Sequence, residues 1–351
     1  MTDDTLPHVH QVAVVIPVYQ GEHTLDAVVS EIRELAEPTP TPGGRVLQVV
    51  EILLVHDNGP DDSAGVIRRL ARRVPTVRAV WLSRNFGQHA ATLAGLASSS
   101  SEWVATMDED GQHDPRDLLT MLDAALDDQV PLVYAVPDNV APHGVLRNTA
   151  SAFSRWLAQT FLTDTAIGRY NSFRLVTGEL GRAVAAYGGQ DIYLDIALSW
   201  VVPGSTTART HRRVGSDRPS GYTLPKLLNH FLRLIVTSGT RPLRAVAALG
   251  VTSSLVGAVL AVVFAYRRAI QDIQVPGWTF LMVTVLGFSG MILIVLGVMA
   301  EYIGVGVRMA LGRPPYLIVG DPMNGPLRHS DRAGSAPDVP VVPREPDSST
   351  R

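Results

Sequence analysis

Cysteine is absent from this 351-residue chain. No disulfide framework, thiolate-metal centre or cysteine nucleophile is therefore available, and any metal must sit on oxygen or imidazole. A surplus of positive charge is lacking too: 30 lysines and arginines stand against 33 aspartates and glutamates, a formal net charge of −3. That balance offers no basic footprint for nucleic acid. The N-terminus lacks a signal-peptide pattern, since it carries Asp3 and Asp4 without a basic start and its first apolar run, residues 12–18, is short and broken by Pro17. The first domain is expected to stay in the cytoplasm. Long charge-free apolar runs are missing from the first two-thirds of the chain, yet the mean hydropathy is +0.14, so the apolar excess gathers toward the C-terminus.

What is present begins with Val12-Ala-Val-Val-Ile16, a continuous apolar and β-branched run closed by Pro17. It reads as a buried parallel strand. A helix capped by Thr24 is predicted next, with Leu25, Val28, Val29, Ile32 and Leu35 at helical spacing before Pro38 stops the pattern. Residues 38–44 read as a loop, and a second strand over 49–55 runs into Asp57-Asn58-Gly59. A helix over 63–73, a strand over 77–82, a helix over 88–97 and a strand over 103–107 continue the alternation. The pattern specifies an α/β domain with a mostly parallel sheet. Ligands bind off the carboxyl ends of such strands. Tyr19, Asp57, Ser83-Arg84-Asn85 and Asp108-Glu109-Asp110 should therefore converge on one crevice.

Residues 245–266 and 279–300 contain no charge. At about 1.5 Å per residue each reaches about 33 Å, enough for a hydrocarbon core of about 30 Å, so two C-terminal transmembrane helices are predicted. Lys226, Arg233, Arg241 and Arg244 before the first span and Arg308 and Arg313 after the second favour cytoplasmic flanks, while Arg267 and Arg268 between them pull mildly the other way. Residues 148–162 and 224–236 are amphipathic and suit interfacial helices, although the first pattern equally suits a helix covering the sheet. The expected organisation is a cytoplasmic catalytic domain over 1–223, an interfacial helix over 224–244, two plasma-membrane spans and a cytoplasmic tail over 301–351. From Tyr316 the chain turns rich in proline, aspartate, arginine and serine, which predicts disorder, complete beyond about residue 320.

Asp108 and Asp110 stand two apart just past a strand. Such a carboxylate pair can share one hard cation, Mg²⁺ or Mn²⁺, and leave coordination positions open for a diphosphate. An isolated Asp-x-Asp is commonly a solvated turn or a helix cap; the position at a strand end beside Asp57 favours the functional reading.

Four motifs stand in order: Val14-Val-Ile-Pro-Val-Tyr19, Val55-His-Asp-Asn-Gly59, Leu82-Ser-Arg-Asn-Phe-Gly-Gln-His89 and Met107-Asp-Glu-Asp-Gly-Gln-His-Asp-Pro115. Asn171-Ser-Phe-Arg-Leu175, Tyr193-Leu-Asp195, Ser220-Gly-Tyr-Thr223 and Arg241-Pro-Leu-Arg244 follow. Together they resemble family-2 glycosyltransferases, most closely the polyprenyl-phosphate or dolichyl-phosphate sugar synthases, over roughly residues 12–318. The resemblance implies a nucleotide-sugar-binding domain of the glycosyltransferase-A (GT-A) type. It makes Pro17, Tyr19, Glu22 and Asp57 nucleotide contacts, has Asp108 address ribose and metal, and places Asp110 and Gln112 at the metal and diphosphate. Arg147 resembles the acceptor-phosphate arginine, a role that suits a guanidinium fork. Arg213, Arg218, Ser220 and Lys226 fall in the loop that closes over the diphosphate, with Arg218 where glycine is common. Asp195, or Asp191, would orient sugar hydroxyls or assist as a base. The implied partners are a nucleotide-sugar, UDP favoured over GDP, a polyprenyl phosphate of undecaprenyl or dolichyl type, the lipid bilayer and, compatibly, further copies of the chain. Because a lipid phosphate is already anionic, positioning and metal stabilisation of the leaving group should dominate, with inversion at the anomeric centre.

Two rivals share these features. A processive polysaccharide synthase usually carries Gln-x-x-Arg-Trp, whereas Arg155-Trp156 here has Ala152 in the glutamine position. A catalytically silent, membrane-tethered subunit that binds sugar-nucleotide or lipid phosphate is harder to reconcile with the retained Asp108, Asp110 and Gln112.

Overall fold

The computed structural model describes residues 8–138, 171–187, 194–213, a scatter of positions between 248 and 266, 278–311 and 314–325. Strand β1 (Val9–Val18) lies at the centre of the sheet, paired in parallel with β3 (Val46–His56) on one side and β5 (Trp103–Thr106) on the other. Its apolar run is buried because successive side chains enter opposite layers, and both layers are covered. Val12, Val14, Ile16 and Val18 share a core with residues of α1 (Leu25–Ile32), α2 (Ser63–Arg73) and α4 (Asp117–Asp127). Ala13 and Val15 share the other with α3 (Gln88–Ser98), α5 (Gly178–Tyr187) and α6 (Leu194–Val201). Gly95 of α3 makes that approach close, since a Cβ there would collide with the Val15 side chain.

Outside the centre the sheet is mixed. β4 (Val77–Leu82) continues it in parallel beyond β3, while β7 (Arg174–Thr177) runs antiparallel to both β5 and β6 (Leu132–Pro137). β8 (Thr206–Thr210) closes one edge in parallel with β6. The described order is β8-β6-β7-β5-β1-β3-β4-β9, where β9 is Ile318–Val319, with β2 (Thr39–Pro40) pairing antiparallel to β3.

Several local expectations shift. β3 starts three residues before the predicted 49, and the expected loop over 38–44 contains β2. Thr24 occupies the cap position of α1 but caps no amide; its hydroxyl donates to the Gly21 carbonyl at 3.5 Å. Disorder from Tyr316 is corrected as well. β9 (Ile318–Val319) pairs antiparallel with β4, and a short 3₁₀ turn over Pro322–Asn324 follows.

Helix α7 (Trp278–Ala310) runs ten residues past the end of the predicted second span at 300. Within it, Gly287–Gly304 is the one stretch among the described residues long and apolar enough to cross a membrane. The first predicted span is described only in part; Val251, Leu255 and Val259 are helical and exposed there. The amphipathic stretches 148–162 and 224–244 lie outside the described residues.

Candidate active site

Four chain segments leave the carboxyl edge of the parallel strands and enclose a crevice of about 450 Å³. Pro17 and Tyr19 come from the end of β1, Asp57 from the end of β3, Gly87 and Gln88 from the entry to α3, and Asp108 to Gln112 from the turn after β5. Tyr19, Asp57, Asn85 and Asp108 to Asp110 converge as expected from the strand ends, whereas Ser83 and Arg84 are not among the lining residues: the Ser83 N–H donates to Leu317 and Arg84 lies over the Phe86 ring.

Within the acidic turn the three carboxylates have different partners. Glu109 accepts hydrogen bonds from the backbone N–H of Tyr19 (3.0 Å) and Gln20 (2.9 Å), and so fastens the chain leaving β1. Asp108 is oriented from both sides, Oδ1 accepting from Gln88 Nε2 and Oδ2 from Ser172 Oγ, each at 2.6 Å. Asp110 Oδ1 accepts from the Gln112 amide at 3.0 Å, a fold-back made by Gly111 at φ +72°, in the left-handed region that glycine enters without strain. Among the described residues no lysine or arginine ion-pairs with Asp108 or Asp110. Oxygen donors two positions apart on one open turn, unpaired with lysine or arginine among the described residues, fit Mg²⁺ or Mn²⁺. Behind them His113 is buried, stacks on Phe173 at 4.9 Å and accepts from the Asp108 amide through Nδ1 at 3.3 Å. Burial holds its pKa below the usual imidazole value, which keeps the ring neutral.

Other expected site residues are placed less simply. Asp57 lines the crevice, but both its oxygens accept backbone N–H groups, from Phe86 at 2.7 Å and Gly87 at 2.8 Å. It therefore positions the entry to α3; burial pushes its pKa up while those two bonds pull it back. Glu22 is not among the crevice residues: its carboxylate accepts from the Asp62 amide at 3.2 Å, and its own N–H donates to Asp61. Arg213 is held by two carboxylates, Glu31 at 2.6 Å and Asp114 at 2.8 Å. Its neighbour Arg212 reaches the site instead, donating through Nε to Gln112 Oε1 at 2.6 Å. Gln112, expected at the metal, thus offers its carbonyl oxygen to a guanidinium in this arrangement. Arg147, Asp191, Arg218, Ser220 and Lys226 lie outside the described residues.

The family model described as Glycosyl transferase family 2 matches residues 13–185, the stretch that carries the crevice. Residues 13–185 belong to glycosyl transferase family 2. Relatives resemble this glycosyltransferase along most of its length. The glycosyltransferase YkcC of Bacillus subtilis is 27% identical over 312 residues, 88% of this chain and 93% of that protein. An undecaprenyl-phosphate 4-deoxy-4-formamido-L-arabinose transferase of Yersinia enterocolitica is 28% identical over 88% of this chain and 93% of its own. The bactoprenol glucosyl transferase of Shigella phage SfX is 26% identical over 88% and 98%.

Next to the main crevice this glycosyltransferase has a smaller cavity of about 110 Å³, lined in part by Asp108, Asn171, Ser172, Arg174 and Asp195. Asp195 is buried there, 2.8 Å from Arg174 Nη1, and accepts from the Tyr134 hydroxyl at 3.2 Å. Burial pushes its pKa up, and Arg174 followed by Tyr134 opposes that. Gln88, Ser172, Arg174 and Arg212 carried no expected role, and Glu109 was expected only as a member of the acidic cluster Asp108-Glu109-Asp110. Gln88, Glu109, Ser172 and Arg174 sit inside the quoted motifs, so the available signal was their place in a motif, without the contact each one makes.

Proposed function

We propose that this glycosyltransferase moves a sugar from a nucleotide-sugar to a polyprenyl phosphate at the cytoplasmic face of the membrane, with inversion. The observation that carries the reading is the pair Asp108 and Asp110 on one open turn, facing the crevice at the carboxyl edge of the sheet. The relatives named as undecaprenyl-phosphate and bactoprenol transferases support the acceptor class. UDP-sugars are the favoured donors, with GDP-sugars the alternative.

In this mechanism an oxygen of the acceptor phosphate bonds to the anomeric carbon while that carbon's bond to the diphosphate oxygen breaks, and the nucleoside diphosphate departs. The phosphate is already ionised, so no strong base is needed. A Mg²⁺ or Mn²⁺ ion held by Asp108 and Asp110 would draw charge from the departing diphosphate. Gln88 and Ser172 hold the Asp108 carboxylate in one orientation, so little reorganisation accompanies reaction. Arg212, steadied on Gln112, supplies positive charge at the crevice rim. The smaller cavity, with Asn171, Arg174 and Asp195, suits the hydroxyls of the transferred sugar. Arg147 for the acceptor phosphate, and Arg218, Ser220 and Lys226 for the closing loop, remain part of the proposal through their family resemblance.

Residues 245–266 and 279–300 are proposed as paired membrane spans, with the catalytic domain and both flanks in the cytoplasm. A Cβ at Gly257 would lie 3.2 Å from Phe288 Cζ, which supports close packing of the pair. The test is to incubate the purified full chain with UDP- and GDP-sugars, a short polyprenyl phosphate and Mg²⁺ or Mn²⁺, and to weigh the lipid product. A glycosylated lipid phosphate is expected, lost with chelator. Asp110→Ala should lower kcat/KM by about 100-fold or more; wild-type turnover by that variant sinks the reading.

A further inference from the structure

We propose that residues 316–325 form a strap that fixes the crevice at a set height above the bilayer, an inference that rests on the membrane-bound sugar transfer proposed above. Helix α7 ends at Ala310, and by Leu317 the chain has reached the carboxyl end of β4, where the Ser83 N–H donates to the Leu317 carbonyl at 3.0 Å. Ile318 then stands opposite Leu82, and Val319 opposite Trp81. Seven residue steps of at most about 3.6 Å separate Ala310 from Leu317, so the two points stay within about 25 Å of each other. The carboxyl end of β4 belongs to the same sheet edge as the crevice. A short covalent tether therefore limits how far the crevice can move from the end of the membrane helix.

Side chains lock the strap in place. Arg68 donates to Asp321 through Nε at 2.8 and 3.1 Å and through Nη2 at 2.7 Å, engaging both carboxylate oxygens. The same guanidinium lies 4.8 Å from the centre of the Trp81 ring, in the strand to which the strap pairs. Forked, partly buried and stacked, this pair is of the stronger kind. Tyr316 and Phe86 pack on one apolar cluster of the sheet, and Val319 packs on the other. Phe86 is also the residue whose N–H holds Asp57, so the strap adjoins the loop that brings Asn85 and Gly87 into the crevice. Its action is positional: it keeps the crevice at the depth of a lipid-borne phosphate, raising the local encounter rate without touching the reacting atoms.

The experiment compares the full chain with Asp321→Ala, Asp321→Glu and a chain ended after Pro315. Hydrogen exchange at the Ser83 amide is one readout. The other is turnover on polyprenyl phosphate embedded in phosphatidylglycerol and phosphatidylethanolamine vesicles, set against turnover on a short, water-soluble isoprenyl phosphate. Exchange should quicken about tenfold or more in the shortened chain and in Asp321→Ala, with partial return in Asp321→Glu. Vesicle turnover should fall by about tenfold while soluble turnover stays within about twofold. Unaltered Ser83 protection, or an equal loss on both acceptors, overturns the strap. If the intact chain turns over neither acceptor, the sugar-transfer reading fails instead, and Ser83 exchange alone decides whether the strap holds.

Discussion

β1 and α7 are both built mainly of apolar residues, yet the molecule treats them in opposite ways. Val12, Val14 and Ile16 are fully buried between two helical layers, whereas Leu293 and Ile294 of α7 are each 68% exposed. At roughly 25 cal/mol per Å² of apolar surface, a helix left that way in water is a liability. What covers β1 is the chain itself. In the membrane-bound reading proposed above, hydrocarbon covers α7, and similar side chains then report two different solvents.

The largest effect that would sharpen this contrast is Val14→Asp, which places an unpaired charge in the core at a cost of more than about 5 kcal/mol. Loss of the cooperative melt of the catalytic domain, followed by circular dichroism, is the expected result. Within the covered interior, Asp195→Ala should cost about 3–5 kcal/mol because it strands the buried Arg174. Glu31→Ala, which frees the half-exposed Arg213 from one of two partners, should cost at most about 1 kcal/mol, and chemical denaturation compares the two.

Leu293→Asp is the counterpart of Val14→Asp in α7. It should leave the catalytic melt unchanged and weaken membrane insertion by about 2.5–3.5 kcal/mol, measured by carbonate extraction. If it unfolds the catalytic domain instead, α7 is a core helix and the contrast breaks. The smallest effect concerns Asp117, half-buried at the start of α4, whose pKa is pushed up to about 6 by burial and then by the nearby Asp114. A raised carboxyl pKa means that the folded state binds the proton more tightly. The stability this gives is complete below the ordinary value near 3.8 and is lost as pH rises through about 6. Asp117→Asn should therefore raise Tm by about 1–3 °C above pH 6 and change little below pH 4, in thermal melts across that range.

Local pattern made much of the fold legible. A continuous β-branched run must be covered on both faces, so β1 and its alternation with helices could be read directly, as could the polar residues waiting at strand ends. The pair Asp108 and Asp110 was legible for the same reason: both lie in one short turn. Glu109 was not separable from them by sequence, because only its bonds to the Tyr19 and Gln20 amides, ninety residues away, show that it fastens the chain. Glu22 and Arg213 engage partners that the sequence did not indicate, Asp61 and Asp62 for the first and Glu31 and Asp114 for the second.

The order of elements, the apolar C-terminal segment and the acidic turn were determined by the sequence alone, since each depends on neighbours a few residues apart. Tertiary structure decided which carboxylate stays open, which arginine reaches Gln112, and that Asp321 returns to Arg68. Those choices depend on which distant groups the folded sheet brings within hydrogen-bond range, and charge or spacing along the chain does not specify that distance.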